Sequence, residues 1–480
     1  MVSIIKRKVL EGVYWINIPE VDLRILCGCP PDAIKHLTSK GLLPVVSEDG
    51  IEFESGPNAI LLSDDLVQNG NLSNVSEFVA YHMFYTQGMI IPNHPNFKKP
   101  KPLMIGKKGQ VDAQMDYIYR GNYGLTSEKE FSDCGETNTF TKENIAMKLR
   151  FAQNNFLHTR DLVDAIYLDR KKVELRPGVH VRRVKHNVFT FSYKDKSVQV
   201  DLNLKKYRHY QPSFVLPQVT IPNDYFSVIH TGEGDGWNPS KPSLSSVIRF
   251  NDRFFLIDAG PYILKILKAV GLSGDQLSGI FITHVHDDHF AGLYDLIDEK
   301  NPLTIYATPV IRATVVKKLA ALLSVTEKKI NSYFNFFDLK RNAWNKQFGM
   351  EVKPIPTAHP VDTTIFIFRV KGKKRYYSYG HYSDIAALSW LKTMIANENS
   401  SGGISKKYFE AIKADFGIPL DLKKIDVGGP SIHGDAKDFA KDKTKKLVLG
   451  HTHLQFTKSQ LAIGDEVVFG HVDTLIQKKP

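Results

Sequence analysis

Residues 281–293 read FITHVHDDHFAGL, with three histidines and two aspartates between His284 and His289 at the end of an apolar run. In an extended segment residues two apart point to the same side, so His284 and His286 converge on one position. Asp287 or Asp288 can cap the helix that HFAGLYDLIDEK suggests, which places Asp288 and His289 on its first turn, facing an adjacent position. The pattern H-x-H-x-D-H therefore offers two ion sites side by side. Neutral imidazole and carboxylate suit zinc, and also iron or manganese, and two ions roughly 3.5–4 Å apart can hold a bridging hydroxide for attack on a carbonyl or phosphoryl centre. The expected cofactor is a pair of divalent metal ions, zinc foremost.

This stretch resembles the signature of the metallo-β-lactamase superfamily, and the resemblance runs over about residues 222–476, in pattern most like the tRNA 3′-end endonucleases (tRNase Z) and their phosphodiesterase relatives. It implies an αββα sandwich. HTGEGDGWNPSKPSLSSVIRFNDRFFLIDAGP resembles the family's opening hairpin, ending in Asp258, which supports the metal loop from behind because ligating histidines need an orienting acceptor. The resemblance puts the third histidine of the first site at His359, in PIPTAHPVDTTIFIFRV. The family's bridging carboxylate ends the next strand in a Gly-Asp pair. Here YYSYGHYSDIAAL departs from that pattern, with His381 after the glycine and Asp384 three residues on. The bridge is assigned to Asp384, because a carboxylate spans two cations and an imidazole normally does not, which leaves His381 as a substrate contact or alternative ligand. KKLVLGHTHL offers the last ligand, His451, with His453 as rival. The implied set is His284, His286 and His359 for one ion and Asp288, His289 and His451 for the other, with Asp384 between them.

Fold alone does not select a reaction, since the superfamily hosts hydrolysis of β-lactams, thioesters, lactones and phosphodiesters as well as oxygen-binding diiron proteins. Three features lean to phosphodiesters. One is the opening G-x-G turn with Ser245 and Ser246 behind it, and another is an excess of basic residues. The third is IHGDAKDFAKD, which resembles the family's late histidine-containing segment and makes His433 the acid that protonates a poor alkoxide leaving group. The expectation is a metal-dependent hydrolase, a phosphodiesterase for a nucleotide or nucleic-acid-type substrate, in which Asp288 and the bridging hydroxide deliver the nucleophile. The alternative is a non-hydrolytic diiron oxygen-binding or sensor protein, disfavoured by His286 where the redox-type pattern has glutamate. A nucleic-acid-binding protein with a relict site is a third reading.

The elements that must position these residues begin near residue 220. FSVIHT, SSVIRF, RFFLIDAG, SGIFITH, PLTIYAT, TTIFIFRV, KRYYSYG, KKIDVGG, KKLVLGH and EVVFGH read as short strands, several with near-continuous apolar runs that require cover on both sheet faces. The predicted fold class is α/β, with a metallo-β-lactamase-like domain over 216–480 and an α+β domain of unknown role over 1–215, joined near QPSFVLPQVTIPND. Within the first domain, helices are expected over PPDAIKHLTSKGLL and near 76–87, 110–120 and 142–155, while ESGPNAILLSD and Arg120-Gly121-Asn122 read as turns. No internal repeat is evident. The insert from Trp390 to about Lys424 reads as a mobile arm or lid.

The chain has 480 residues, 42% of them hydrophobic, enough for two well-buried cores. No secretory leader and no apolar run of the roughly 18 residues a membrane helix needs can be found, so the expected location is the cytoplasm and no membrane partner is predicted. Three cysteines, with Cys27 and Cys29 as a C-x-C pair and Cys134 distant, make no disulfide framework. The net charge of +12 is concentrated between Arg170 and Tyr210, where twelve Lys and Arg face Glu174, Asp195 and Asp201. Interleaved with Phe189, Phe191, Tyr193, Tyr207 and Tyr210, this 170–210 segment suggests basic strands that could attract nucleic acid, though a solvated sheet with inward aromatics is the plainer reading. The expected partner is otherwise a small molecule or nucleotide, and a homo-oligomer is compatible with the sequence.

Overall fold

The computed structural model describes residues 4–169, 172–396, 402–429 and 431–479. The chain forms two compact units. Met1–Tyr119, Leu157–Ser213 and Ala321–Val325 make the first, and Arg120–Phe156, Phe214–Ala320 and Thr326–Pro480 make the second.

The second unit is built on two seven-stranded sheets. In the first sheet the spatial order is Asn335–Asp338, Thr304–Ala307, Leu277–Phe281, Arg253–Ile257, Ser245–Phe250, Phe226–Gly232 and Val472–Ile476. In the other it is Asn345–Gln347, Met350–Thr357, Thr363–Lys371, Tyr376–Tyr382, Leu422–Asp426, Lys446–Gly450 and Asp465–Glu466. Alternation along TTIFIFRVK shows how the layers form. Phe366, Phe368 and Val370 join Phe226, Ile248, Phe255 and Phe281 in the core between the sheets, while Ile365 and Ile367 turn the other way. There they meet Phe409, Ile412 and Phe416 of the helix Lys406–Phe416. On the first sheet Val247, Leu256 and Ile280 are buried as well, and the helices Ile263–Ala269 and Pro309–Leu323 bury apolar residues of their own, among them Ile266, Leu267, Val315 and Leu319. The result is the αββα layering expected.

Several local expectations are corrected. Arg120, Gly121 and Asn122 lie inside the helix Lys108–Tyr123, not in a turn. The segment EVVFGH is not itself a strand, since pairing stops at Glu466 and resumes at Val472. The insert after Trp390 is no projecting arm, because Lys406–Phe416 is packed on the sheet by its three buried apolar residues. Residues 397–401, which fall in that insert, and Arg170 and Lys171 of the basic segment lie outside the described residues.

A buried ion pair fixes the 120–156 segment in the second unit. Lys148 Nζ donates to Asp362 Oδ1 at 2.9 Å and to the carbonyls of Tyr123 and Leu125, and Asp362 Oδ2 accepts from Leu125 N at 3.0 Å. Both side chains are shielded from water. Asp362→Ala leaves the ammonium buried without its charge partner and is expected to cost about 3–5 kcal/mol in denaturant unfolding, whereas the pair Lys148→Met with Asp362→Leu costs less than either single change.

The first unit has a six-stranded sheet in the order Ile5–Leu10, Val13–Ile18, Leu23–Cys27, Ala59–Leu61, Leu103–Gly106, Asp164–Tyr167, and a four-stranded antiparallel sheet of Lys172–Arg176, Val179–Lys185, Val188–Tyr193 and Lys196–Asp201. Phe189, Phe191 and Tyr193 face the core between these sheets, so the basic strands carry no outward platform of those rings for stacking on bases. Cys27 and Cys29 are buried and form no disulfide, Cys29 Sγ donates to Val75 O, and the Cys27 pKa is raised well above its ordinary value by burial. Neither belongs to a group of side chains that could hold a metal among the described residues.

Six strands of one sheet and four of the other in the second unit are repeated in topology by the first unit, against the expectation of no repeat, while Leu422–Asp426, Lys446–Gly450, Asp465–Glu466 and Val472–Ile476 have no counterpart there. Phe226–Gly232, Ser245–Phe250, Arg253–Ile257, Leu277–Phe281, Thr304–Ala307 and Asn335–Asp338 pair as two antiparallel and then three parallel neighbours, and so do the six strands of the first unit in the same order. The four-stranded sheet likewise follows the pairing of Asn345–Gln347, Met350–Thr357, Thr363–Lys371 and Tyr376–Tyr382. Details agree. Gly28 N donates to Leu61 O as Asp258 N does to Phe281 O, at 2.8 and 2.9 Å. Asp32 and Tyr262, both left-handed, each precede a seven-residue helix that is followed one residue later by a glycine at positive φ, Gly41 or Gly271.

Candidate metal centre

Each predicted donor in the second unit lies just past the C-terminal end of a strand, so the two sheets deliver them to one place. His284 follows Leu277–Phe281, His359 follows Met350–Thr357, Asp384 follows Tyr376–Tyr382 and His451 follows Lys446–Gly450. A helix does start here and carries Asp288 and His289, but it is only Asp287–Phe290, with His286 and not an aspartate at its N-cap, and the chain continues as a short turn over Leu293–Leu296 in place of the longer helix expected. That helix sits against the loop after Arg253–Ile257: Ala259 N donates to His289 O, and Gly292 N to Ala259 O. Any Cβ on Gly260 would stand 2.3 Å from the Asp288 carbonyl oxygen, so only glycine allows this approach.

The donors face each other in two sets with Asp384 between. On one side His286 Nδ1 is 3.2 Å from His359 Nε2, while Asp384 Oδ2 is 3.5 Å from His284 Nε2 and 3.6 Å from His359 Nε2. On the other side His289 Nε2 is 3.3 Å from His451 Nε2, His451 Nε2 is 3.2 Å from Asp288 Oδ2, and Asp384 Oδ1 is 3.1 Å from His289 Nε2 and 3.3 Å from His451 Nε2. Groups able to hold an ion are His284, His286, His359 and Asp384; His284, Asp288 and His289; and Asp384, Asp426, His433 and His451. His381 and His453 fall outside them. His381 Nδ1 meets the Tyr379 hydroxyl at 2.8 Å inside the protein, and His453 Nδ1 is tied to Asp235 at 2.7 Å.

The residues fit a divalent cation. His284 Nε2 and Asp288 Oδ1 are buried with no hydrogen-bond partner, an arrangement that is costly unless something binds there. Pairs of imidazole nitrogens near 3.2–3.3 Å match the edge of a tetrahedron about an ion with ligands at roughly 2.0–2.1 Å. The ring nitrogens pointing away from the centre are anchored, which fixes the tautomer. His289 Nδ1 donates to Asp258 Oδ2 at 3.0 Å, His359 Nδ1 to Ile432 O at 2.9 Å and His451 Nδ1 to Asp426 Oδ1 at 3.2 Å. Asp258, held by Thr283 N and Thr283 Oγ1, is the rear support expected for that position.

Charge follows the same division. Burial and neighbouring imidazoles hold His284 and His286 below the ordinary histidine range, and burial pushes His359 down to about 3, leaving neutral rings. For His289 and His451 burial works the same way but is outweighed by Asp288, Asp384 and Asp426, so both are raised.

Two contributors were not foreseen. Asp426 ends the strand Leu422–Asp426, is fully buried, and accepts from His451 Nδ1, His433 Nδ1 and the backbone nitrogens of Ile385, Gly428 and Gly434. It thereby links His433 to the cluster, with the His433 and His451 rings 4.8 Å apart. Lys318, in the helix Pro309–Leu323, pairs with Asp287 at 3.0 Å and donates to Val285 O, clamping the histidine loop.

Comparison with known proteins agrees with this picture. The family described as "Anti-Pycsar protein Apyc1" matches residues 226–396. The cAMP/cGMP-dependent 3′,5′-cAMP/cGMP phosphodiesterase B of Dictyostelium discoideum is 28% identical over 187 residues, 39% of this chain and 16% of that protein. Its cGMP-dependent 3′,5′-cGMP phosphodiesterase A is 25% identical over 153 residues, covering 32% and 18%. A ribonuclease Z of Methanococcus maripaludis is 28% identical over 143 residues, covering 28% and 44%. This chain thus spans less than a fifth of the two Dictyostelium relatives and under half of the ribonuclease Z. Among solved structures, a diphosphatase of the PhnP family aligns with TM-score 0.39 at 15% identity, covering 52% of this chain and 96% of that one, and human tRNase Z, short form, with TM-score 0.37 at 18% identity, covering 52% and 99%. The second unit has the metallo-β-lactamase fold, with its donor cluster at the strand ends. Within that fold the sequence matches fall on proteins named as phosphodiesterases and ribonuclease Z.

Proposed function

We propose that the second unit is a metal-dependent phosphodiesterase holding two divalent ions, zinc foremost, and acting on a nucleotide-type substrate. The observation that carries this reading is the position of Asp384, whose two oxygens point to two separate sets of imidazoles. His284, His286 and His359 would hold one ion, Asp288, His289 and His451 the other, with Asp384 shared. When bound, such ions supply Lewis-acid stabilisation of phosphate oxygens and a hydroxide at neutral pH. The chain's own residues orient and transfer protons. Asp288 faces the cluster with a free oxygen able to orient the attacking group, and His433, backed by Asp426, can donate to the departing oxygen.

A small substrate is favoured over a polymer. A cavity of about 470 Å³ opens beside His433 and His451, lined in part by Gly428, Lys437, Thr452, Gln455 and Phe456. That size suits a mononucleotide. The relatives named for cyclic nucleotides support the same class, and the inward aromatics of the basic sheet speak against reading of single strands there. No described helix is long and apolar enough to cross a membrane, and the free cysteines fit a reducing compartment such as the cytoplasm.

The test is a screen of the zinc- or manganese-loaded chain against bis-p-nitrophenyl phosphate, 3′,5′-cyclic nucleotides, a tRNA precursor, a lactone and a thioester. Turnover of phosphodiesters, with cyclic nucleotides ahead of the tRNA precursor, is expected. Hydrolysis confined to the lactone or thioester overturns the reading.

A further inference from the structure

We infer that the first unit is a second copy of the fold in which the place of the metal centre is closed by an internal ion pair, so that the chain carries one reaction centre and binds its metal only in the second unit. Counting from matched strand ends identifies the positions. His284 lies three residues beyond Phe281, and Asp64 lies three beyond Leu61. His359 lies two beyond Thr357, and Asn187 two beyond Lys185. Asp384 lies two beyond Tyr382, and Asn203 two beyond Asp201. The positions matching His286, Asp288 and His289 are Leu66, Gln68 and Asn69.

These counterparts also converge, but on each other. Asp64 Oδ2 accepts from Arg183 Nε and from Asn187 N, both at 2.7 Å. Asn187 Oδ1 accepts from Asp64 N at 2.6 Å and Ser63 Oγ at 2.9 Å, and Asn187 Nδ2 donates to Asn203 Oδ1 at 3.3 Å. His186, the one imidazole at this place, has Nε2 on Asp65 Oδ2 and Nδ1 3.7 Å from Asp64. Three consequences follow. The lone pairs of Asp64 Oδ2 are spent on fixed donors, Oδ1 has the Lys107 ammonium at 3.8 Å, and amides are weak ligands for zinc-type ions. The guanidinium, permanently charged, neutralises Asp64 and repels a cation. No atom of Ser63, Asp64, Arg183, Asn187 or Asn203 is among the buried polar atoms left without a partner, whereas His284 Nε2 and Asp288 Oδ1 of the second unit are. The ion pair does the stapling that bound metal would do, joining the loop after Ala59–Leu61 to the strand Val179–Lys185 at Arg183, while Asn187 N ties the same carboxylate to the turn that follows the strand.

Native mass spectrometry of the full chain loaded with zinc tests this without any substrate. No more than two zinc ions per chain are expected. His284→Ala with His289→Ala should bring the count to zero, while Asp64→Asn and, at an exposed position, His186→Ala leave the wild-type count. Three or four ions in the wild type, or ions that survive His284→Ala with His289→Ala and vanish with Asp64→Asn or His186→Ala, overturn the inference. A wild-type chain that takes up no zinc agrees with a closed first copy and instead removes the metal reading of the second unit.

Discussion

Replacing His284 and His286 together by alanine is expected to lower the metal content by the ion of their set and reduce turnover to background while the first unit unfolds as before. Both rings are buried, and His286 Nδ1 stands 3.2 Å from His359 Nε2. The His286 and His359 rings are neutral at neutral pH, and His359, whose Nδ1 donates to Ile432 O, presents a lone pair at Nε2 that either accepts from His286 Nδ1 or, with that nitrogen deprotonated, joins it in holding a cation. With both rings gone, His359 and one oxygen of Asp384 remain on that side, too few donors for a tetrahedral ion. The first unit has its own core of Ile16, Ile25, Leu61, Val181 and Phe191 and should keep its unfolding midpoint. Metal per chain by mass spectrometry, turnover of bis-p-nitrophenyl phosphate and a urea titration give the three readouts. Turnover near the wild-type rate in the double variant would remove the proposed chemistry.

What the sequence disclosed and what it hid have physical causes. The H-x-H-x-D-H run was legible because strand and helix periodicity alone aim its side chains. His359, Asp384 and His451 could be placed only through the family resemblance, which says which strand ends carry ligands; nothing local in their segments marks them. Asp426 was not legible, since its partners His433 and His451 lie 7 and 25 residues further on and nothing local in KKIDVGG marks it as buried. Lys424 is similar: it reads as a surface strand lysine, yet it is fully buried and donates to Gly232 O and Ser245 O, contacts set by tertiary packing. Arg120-Gly121-Asn122 misled because turn-forming residues were judged without the helix around them. The internal repeat stayed hidden because a fold asks of most positions only that they be apolar with the right alternation, so two copies can share a strand order without an evident sequence repeat. The positions that would have advertised the repeat, the ligands, are the ones the first copy has exchanged for Asp64, Asn187 and Asn203.

His433→Ala should divide substrates by their leaving group. His433 Nδ1 donates to Asp426 Oδ2 at 3.2 Å, which leaves Nε2 as the atom that carries the transferable proton. Burial alone would lower this imidazole's pKa, but Asp426 outweighs it, and the ring is held above its usual value. The protonated form is therefore held to higher pH than in a free imidazole, as suits a general acid. A nucleoside alkoxide needs that proton to leave, whereas p-nitrophenolate departs without it. The variant should thus lose about 10²–10⁴-fold in kcat on a cyclic nucleotide, far less on bis-p-nitrophenyl phosphate, and no metal. Because the acid form is the active one, wild-type kcat should fall as pH rises through a midpoint above the ordinary imidazole value of about 6.5, and His433→Ala should lose that limb. Asp426→Asn should show the same split between substrates together with weaker metal retention, about 10–100-fold, because it also orients His451. Equal losses on both substrates would mean that His433 shapes the site and does not deliver the proton, since a proton donor can matter only as much as its acceptor needs the proton.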